Sequence, residues 1–244
     1  MRIRRTLWSW LLGLTLTCAV LLAGANSWVH GQYPYGSEAT AALASNTAVT
    51  VMRTDDAITF IPAQANAGFV FYPGGLVPTE AYAPLLRSLA EEGILCVALD
   101  MPLRLAVLDM YAADGIPAQH PNVTRWAIGG HSLGGAMAAS YAARHADEYA
   151  ALVLLAAYST AALPEDIAVI SIYGDADGVM DREKYAQYRP NLPGNTLEVI
   201  LAGGNHAQFG DYGHQKGDGG ATISPEEQLV QTLQALLPVL LGQE

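Results

Sequence analysis

The chain has 244 residues, with 12 Lys and Arg against 23 Asp and Glu, a formal charge of −11 at neutral pH, and 51% of its residues are apolar. So acidic a balance excludes a basic nucleic-acid binder, and 14% charged residues beside that apolar share exclude a disordered acidic tail. The length fits one α/β domain, since such folds run to about 250 residues as a single unit.

Residues 1–25 have the layout of an export segment. Arg2, Arg4 and Arg5 precede an uncharged run of 19 residues, 7–25, that ends in Ala23-Gly24-Ala25. Two outcomes fit this length: a signal peptide cleaved after the Ala-x-Ala ending, or a membrane anchor with Trp8 and Trp10 at the interface. Either way the globular part is expected outside the cytoplasm, meeting the membrane through this segment alone. Without residues 1–25 the chain keeps 9 basic and 23 acidic side chains, a charge of −14, so neutral or cationic substrates are expected. Cys18 lies in this segment and Cys96 in the apolar run 94–99, which leaves no intrachain disulfide after cleavage.

Residues 26–47 lack a period and read as a linker to a domain over 48–244. Short β-rich runs follow at 49–53, 58–62, 69–72, 94–99, 125–129, 151–155, 169–173 and 197–201. Helical patterns fill 84–92, which stops at Gly93, 133–145, 181–188 and 224–241, which opens Ser-Pro-Glu-Glu. Unbroken apolar strands alternating with helices predict a mostly parallel eight-stranded sheet covered on both faces, with ligands beyond the carboxyl ends of its strands.

The chemistry begins at Gly130-His131-Ser132-Leu133-Gly134, followed by Gly135. These residues come straight after a predicted strand and straight before a helix, the arrangement of a nucleophile elbow. Such a turn strains the serine, needs small neighbours at Gly130 and Gly134, and points the backbone N–H of Leu133 at a developing oxyanion. A nucleophilic serine also needs a base and an orienting acid. The loop Gly174-Asp175-Ala176-Asp177-Gly178 follows the seventh strand, and Gly203-Gly204-Asn205-His206 follows the eighth. Asp177, chosen over Asp175, and His206 complete the order Ser, Asp, His. The second oxyanion amide is expected after the third strand, in Pro73-Gly74-Gly75-Leu76, from Gly75 or else Leu76.

These motifs resemble the α/β hydrolase superfamily, and within it the alpha/beta hydrolase fold-5 family with its dienelactone-hydrolase-like members. The likeness rests on Phe71-Tyr72-Pro73-Gly74-Gly75, on residues 129–135, on Ser171-Ile172-Tyr173-Gly174 and on residues 204–210, and extends over 48–241. It implies an α/β-hydrolase fold and a Ser132, Asp177, His206 triad. Pro73 stands where many relatives carry His, and dienelactone hydrolases proper use a cysteine nucleophile.

The expected function is ester cleavage, extending to thioesters or amides, through an acyl-enzyme, without cofactor or metal. The same triad would serve an acyltransferase, and the third reading is a noncatalytic binding module on the same fold. The short segment 158–166 leaves no room for a large cap domain, so an open site is expected. Tyr72, Met101, Tyr158 and Phe209 are candidates for an apolar wall that read more readily as core, and Arg104 reads as solvated rather than as a carboxylate ligand. The glycine-rich loop 210–222, with Asp211, His214, Lys216 and Asp218, reads as a mobile surface loop, with cation binding or closure over the site as alternatives.

Overall fold

In the computed structural model, which describes Gly24 and residues 32–243, each of the eight β-rich runs forms a strand. They are β1 Val49–Arg53, β2 Ala57–Pro62, β3 Ala67–Tyr72, β4 Ile94–Leu99, β5 Trp126–His131, β6 Ala151–Leu155, β7 Ala168–Gly174 and β8 Leu197–Leu201. The helices that matter for the site are α1 Ser37–Ala42, α2 Ala83–Glu91, α3 Ile116–Gln119, α4 Leu133–Ala142, α5 Arg182–Tyr188 and α6 Pro225–Leu241.

One sheet runs in the order β1-β2-β4-β3-β5-β6-β7-β8. β2 is antiparallel to both of its neighbours, and every pairing from β4 to β8 is parallel. The strands β3 to β7 are buried almost throughout, which is why they read as continuous apolar runs. Their side chains still alternate between two faces. Phe69, Phe71, Val153, Leu155, Ile170 and Ile172 pack in one core with Leu86 and Leu89 of α2 and Leu236 and Val239 of α6. Val70, Tyr72, Ile128, Leu152 and Leu154 pack in the other with Ala138, Ala139 and Tyr141 of α4. Small residues on α4 let that helix sit close to the sheet, as the turn that starts it requires.

Helix boundaries shift from the predicted ones for local reasons. Asp181 and Ser224 are caps rather than helical residues: Asp181 accepts the Lys184 N–H at 2.9 Å, and Ser224 forms a reciprocal capping box with Glu227. α4 ends at Ala142 because its amides tighten into i→i−3 bonds, Arg144 N–H to Tyr141 O and His145 N–H to Ala142 O.

A larger departure lies in the segment read as linker. Residues 37–42 form α1, whose Ala39 is fully buried. Its anchors are remote in sequence: Asp211 accepts the Ala39 N–H on Oδ2 at 2.8 Å and the Gly36 N–H on its carbonyl at 2.9 Å, while Arg87 donates to the carbonyls of Ala42 and Ala44 at the other end.

The apolar run 7–25, Cys18 included, lies outside the described residues apart from Gly24. Among the described residues no helix is long and apolar enough to cross a membrane. β6 and β7 are joined by residues 156–167 without a helix, and no cap domain stands over the carboxyl edge of the sheet among the described residues.

Candidate active site

Because β3 and β5 to β8 are parallel, their carboxyl ends open on one edge, and the loops carrying the predicted residues meet there. Ser132 follows β5 directly and takes φ 52 and ψ −123, a region that costs a side-chain-bearing residue about 1–3 kcal/mol. The conformation is held from outside: its N–H donates to Leu155 O at 2.9 Å, and the turn is closed by glycines. A Cβ on Gly130 would run into Tyr72 O, and one on Gly134 into the carbonyls of Tyr72 and Pro73. Ser132 occupies the N-cap position of α4, yet its side chain does not cap the helix. The hydroxyl is therefore not spent on the local structure.

His206 Nδ1 and Asp177 Oδ2 are 2.9 Å apart, with both side chains buried. Asp177 Oδ1 accepts the N–H groups of Val179 and Met180, each at 2.8 Å. Burial pushes the Asp177 carboxyl up, but the hydrogen bond and charge of His206, with those two amides, outweigh it and hold the carboxyl below its ordinary range. An ionised Asp177 accepts only, so the neutral imidazole carries its proton on Nδ1 and its lone pair on Nε2. Nε2 is buried and has no hydrogen-bond partner among the described residues. The ring of His131, the residue before Ser132, stands 4.4 Å from that of His206. Asp175 has a different task, accepting the Gly203 N–H at 2.7 Å.

The loop 210–222 turns out to organise this region. Asp218 accepts the N–H groups of Gly178 at 3.2 Å, His206 at 3.2 Å, Gly219 at 2.9 Å and Ala207 at 2.8 Å, so one carboxylate ties the Asp177 loop to the His206 loop. Asp211 caps α1, as described above. The two acids offered for cation binding are thus engaged by backbone amides, and the mobile-loop reading gives way to a structural one. Among the described residues no group of three or more His, Cys, Asp or Glu is placed to hold a metal ion. Gln228 on α6 is a further residue missed from sequence. Its fully buried amide accepts the Asn205 N–H and donates to Asn205 O. The signal was present, since Gln228 and Thr232 share the buried stripe of α6 with Leu236, Val239 and Leu240.

In the loop after β3, the Gly74 N–H donates to the Tyr82 hydroxyl at 3.0 Å, and the Leu76 N–H donates to Arg104 O at 2.8 Å. Among the described residues no hydrogen bond engages the Gly75 amide between them. A Cβ built on Gly75 would lie 3.2 Å from Leu133 Cδ2, so the two expected amide donors belong to adjoining residues. Of the wall candidates, Tyr72, Met101 and Phe209 are buried core, with the Tyr72 hydroxyl donating to Met110 O at 2.7 Å. Tyr158 is half-buried and stacks on Tyr188 at 5.6 Å.

A model of the alpha/beta hydrolase family matches residues 68–230, the stretch that contains Ser132, Asp177 and His206. A protein of Mycobacterium phage D29 named a non-heme haloperoxidase is 36% identical over 98 residues, 36% of this chain, and the chain spans 35% of that protein's length. Among solved structures, TT1662 from Thermus thermophilus superposes with a TM-score of 0.58 at 15% identity, covering 79% of this chain and 98% of that one. The native esterase Est2 from Thermogutta terrifontis gives 0.56 at 18% identity over 86% of this chain and 96% of its own. Est1E from Butyrivibrio proteoclasticus gives 0.55 at 15% identity over 79% and 99%. At these identities the likeness to the three structures is one of fold.

Proposed function

Because the chain belongs to the alpha/beta hydrolase family, we propose that it is a serine hydrolase that cleaves carboxylic esters, with thioesters and amides as related substrates. Ser132 Oγ attacks the acyl carbon while His206 Nε2 takes its proton, and Asp177 holds the imidazole in the tautomer this needs. The carbonyl electron pair moves onto oxygen, facing the N–H groups of Leu133 and Gly75. Collapse expels the alcohol, which leaves with the proton from His206. Water then attacks the acyl-enzyme, gives its proton to His206, and releases the acid as Ser132 recovers its own.

One observation carries the reading: a buried histidine whose Nδ1 is bound to an ionised carboxylate at 2.9 Å, with its Nε2 uncommitted among the described residues, at the same edge of the sheet as a serine at φ 52 that does not cap its helix. The names of Est2 and Est1E support the ester class. A charge of −11 supports neutral or cationic esters, and the arginines ahead of the run 7–25 support export or membrane tethering. The connection 156–167 supports an open site suited to small esters.

Turnover of p-nitrophenyl acetate, butyrate and octanoate tests the proposal. Ser132→Ala and His206→Ala each lower kcat by about 10³-fold or more, and Asp177→Asn by about 10²-fold or more. Wild-type turnover by folded Ser132→Ala would overturn it.

A further inference from the structure

Two buried side chains with no part in the steps above connect the loop after β3 to the histidine. Tyr82 closes the 3-10 turn Thr79–Tyr82, and His131 is the last residue of β5; both are fully buried. The Tyr82 hydroxyl lies 2.8 Å from His131 Nδ1 and accepts the Gly74 N–H at 3.0 Å. The Gly74 N–H takes one lone pair of the hydroxyl, and His131 Nδ1 is its one acceptor among the described residues, so the hydroxyl proton is assigned to Nδ1 and the His131 Nε2–H is left buried without a partner among them. The neutral His131 ring is thereby assigned the tautomer with its proton on Nε2, the opposite of His206. The ionisable groups around it are Tyr82 from the turn before α2, and His206 and Tyr212 from the loop after β8; Phe209 adds an apolar ring at 5.6 Å. Burial, and then the charge of His206, push the His131 pKa well below its ordinary value.

We propose that Tyr82 and His131 are positioning residues that fix the Gly74-Gly75 peptide against the nucleophile strand and hold a neutral imidazole against His206. The proposal rests on the serine-hydrolase reading. With the Gly74 amide bound by Tyr82, the next amide, that of Gly75, is held beside Leu133, where the oxyanion forms. His206 becomes an imidazolium when it takes the Ser132 proton, and a charged His131 at 4.4 Å would oppose that step whereas a neutral one does not.

The test compares Tyr82→Phe, His131→Leu and His131→Asn with the wild type. In His131→Asn the side-chain oxygen stands where Nδ1 was and still accepts from Tyr82. With p-nitrophenyl butyrate, Tyr82→Phe and His131→Leu are expected to lose about 10-fold or more in kcat with KM held within about twofold, while His131→Asn stays within about threefold of wild type. Equal kcat in Tyr82→Phe and wild type, or equal losses in His131→Asn and His131→Leu, would overturn the proposal. A second readout needs no turnover. Nitrogen-15 NMR of the wild type is expected to show His131 as the Nε2–H tautomer and without titration from pH 5 to 9, and an Nδ1–H tautomer or a titrating His131 would overturn the proposal. Absence of ester turnover in the wild type would strike the hydrolase reading and leave the tautomer result to decide the pair.

Discussion

Gln228 clasps the backbone of Asn205 on both sides, accepting its N–H at 3.0 Å and donating to its carbonyl at 2.9 Å from the buried face of α6. The residue clasped is the one before His206, so a helix at the end of the domain sets the height of the histidine loop. Gln228→Leu strands both buried groups, each worth about 1–3 kcal/mol. A loss of about 2–5 kcal/mol is expected in urea unfolding, with lower ester turnover at temperatures where the variant stays folded. A loss under about 0.5 kcal/mol would mean that the loop is held by other contacts.

Asp218 gathers four amides from three stretches of chain, which requires acceptor capacity on both of its oxygens. In Asp218→Asn one oxygen becomes an NH₂ that faces donors. Stability is expected to fall by about 1–3 kcal/mol and kcat by about 10-fold, because the loops bearing Asp177 and His206 lose their common tie. Paired urea unfolding and p-nitrophenyl ester kinetics check this, and unchanged values in both would remove Asp218 from the account.

Ser132 stores strain that glycine would not feel. Ser132→Ala keeps a Cβ at φ 52, whereas Ser132→Gly releases it. Both variants are expected to be inactive, yet the glycine variant should be the more stable by about 0.5–2 kcal/mol, the relief being partly offset by glycine's greater freedom when unfolded. Thermal melts of the pair measure it, and an alanine variant of equal or greater stability would show an unstrained turn.

The Asp177 carboxyl is held below its ordinary range, so its folded pKa lies under its unfolded one. A group of that kind contributes stability that is present above the unfolded pKa, about 4, and is lost as pH falls through the folded pKa. The unfolding free-energy difference between wild type and Asp177→Asn should therefore be largest at pH 5–7 and shrink on acidification below about 4. Urea unfolding at pH 7, 4.5, 3 and 2.5 reads it, and a difference that grew toward acid would reverse the sign of the shift.

β3 to β7 were legible because they are buried on both faces and β2 because it alternates, whereas the mostly exposed edge strands β1 and β8 were legible through their β-branched and apolar residues; β1, β4, β6 and β8 begin and end where the pattern does. α1 was not, since Ala39 and Ala42 give its buried side no contrast and its cap, Asp211, lies 172 positions beyond Ala39. The candidate site shows the same division. Ser132 stands in a local motif, and the loops of Asp177 and His206 follow consecutive strands, so order and position single out the serine and the two loops, while the bond to His206 separates Asp177 from Asp175. Between Gly75 and Leu76 the sequence is silent, because the bond that engages the Leu76 amide comes from Arg104 and the one that engages Gly74 from Tyr82. Asp218 carries no sequence signal at all: its partners are backbone amides, which every residue but proline owns.

The measurement closest to the centre of this account is the mass of the protein after a fluorophosphonate probe, with the adduct mapped by peptide sequencing. The account predicts a single adduct on Ser132 in the wild type, little or none in His206→Ala, and none in Ser132→Ala. A folded wild type that takes up no probe, or carries it on another residue, would contradict an activated Ser132.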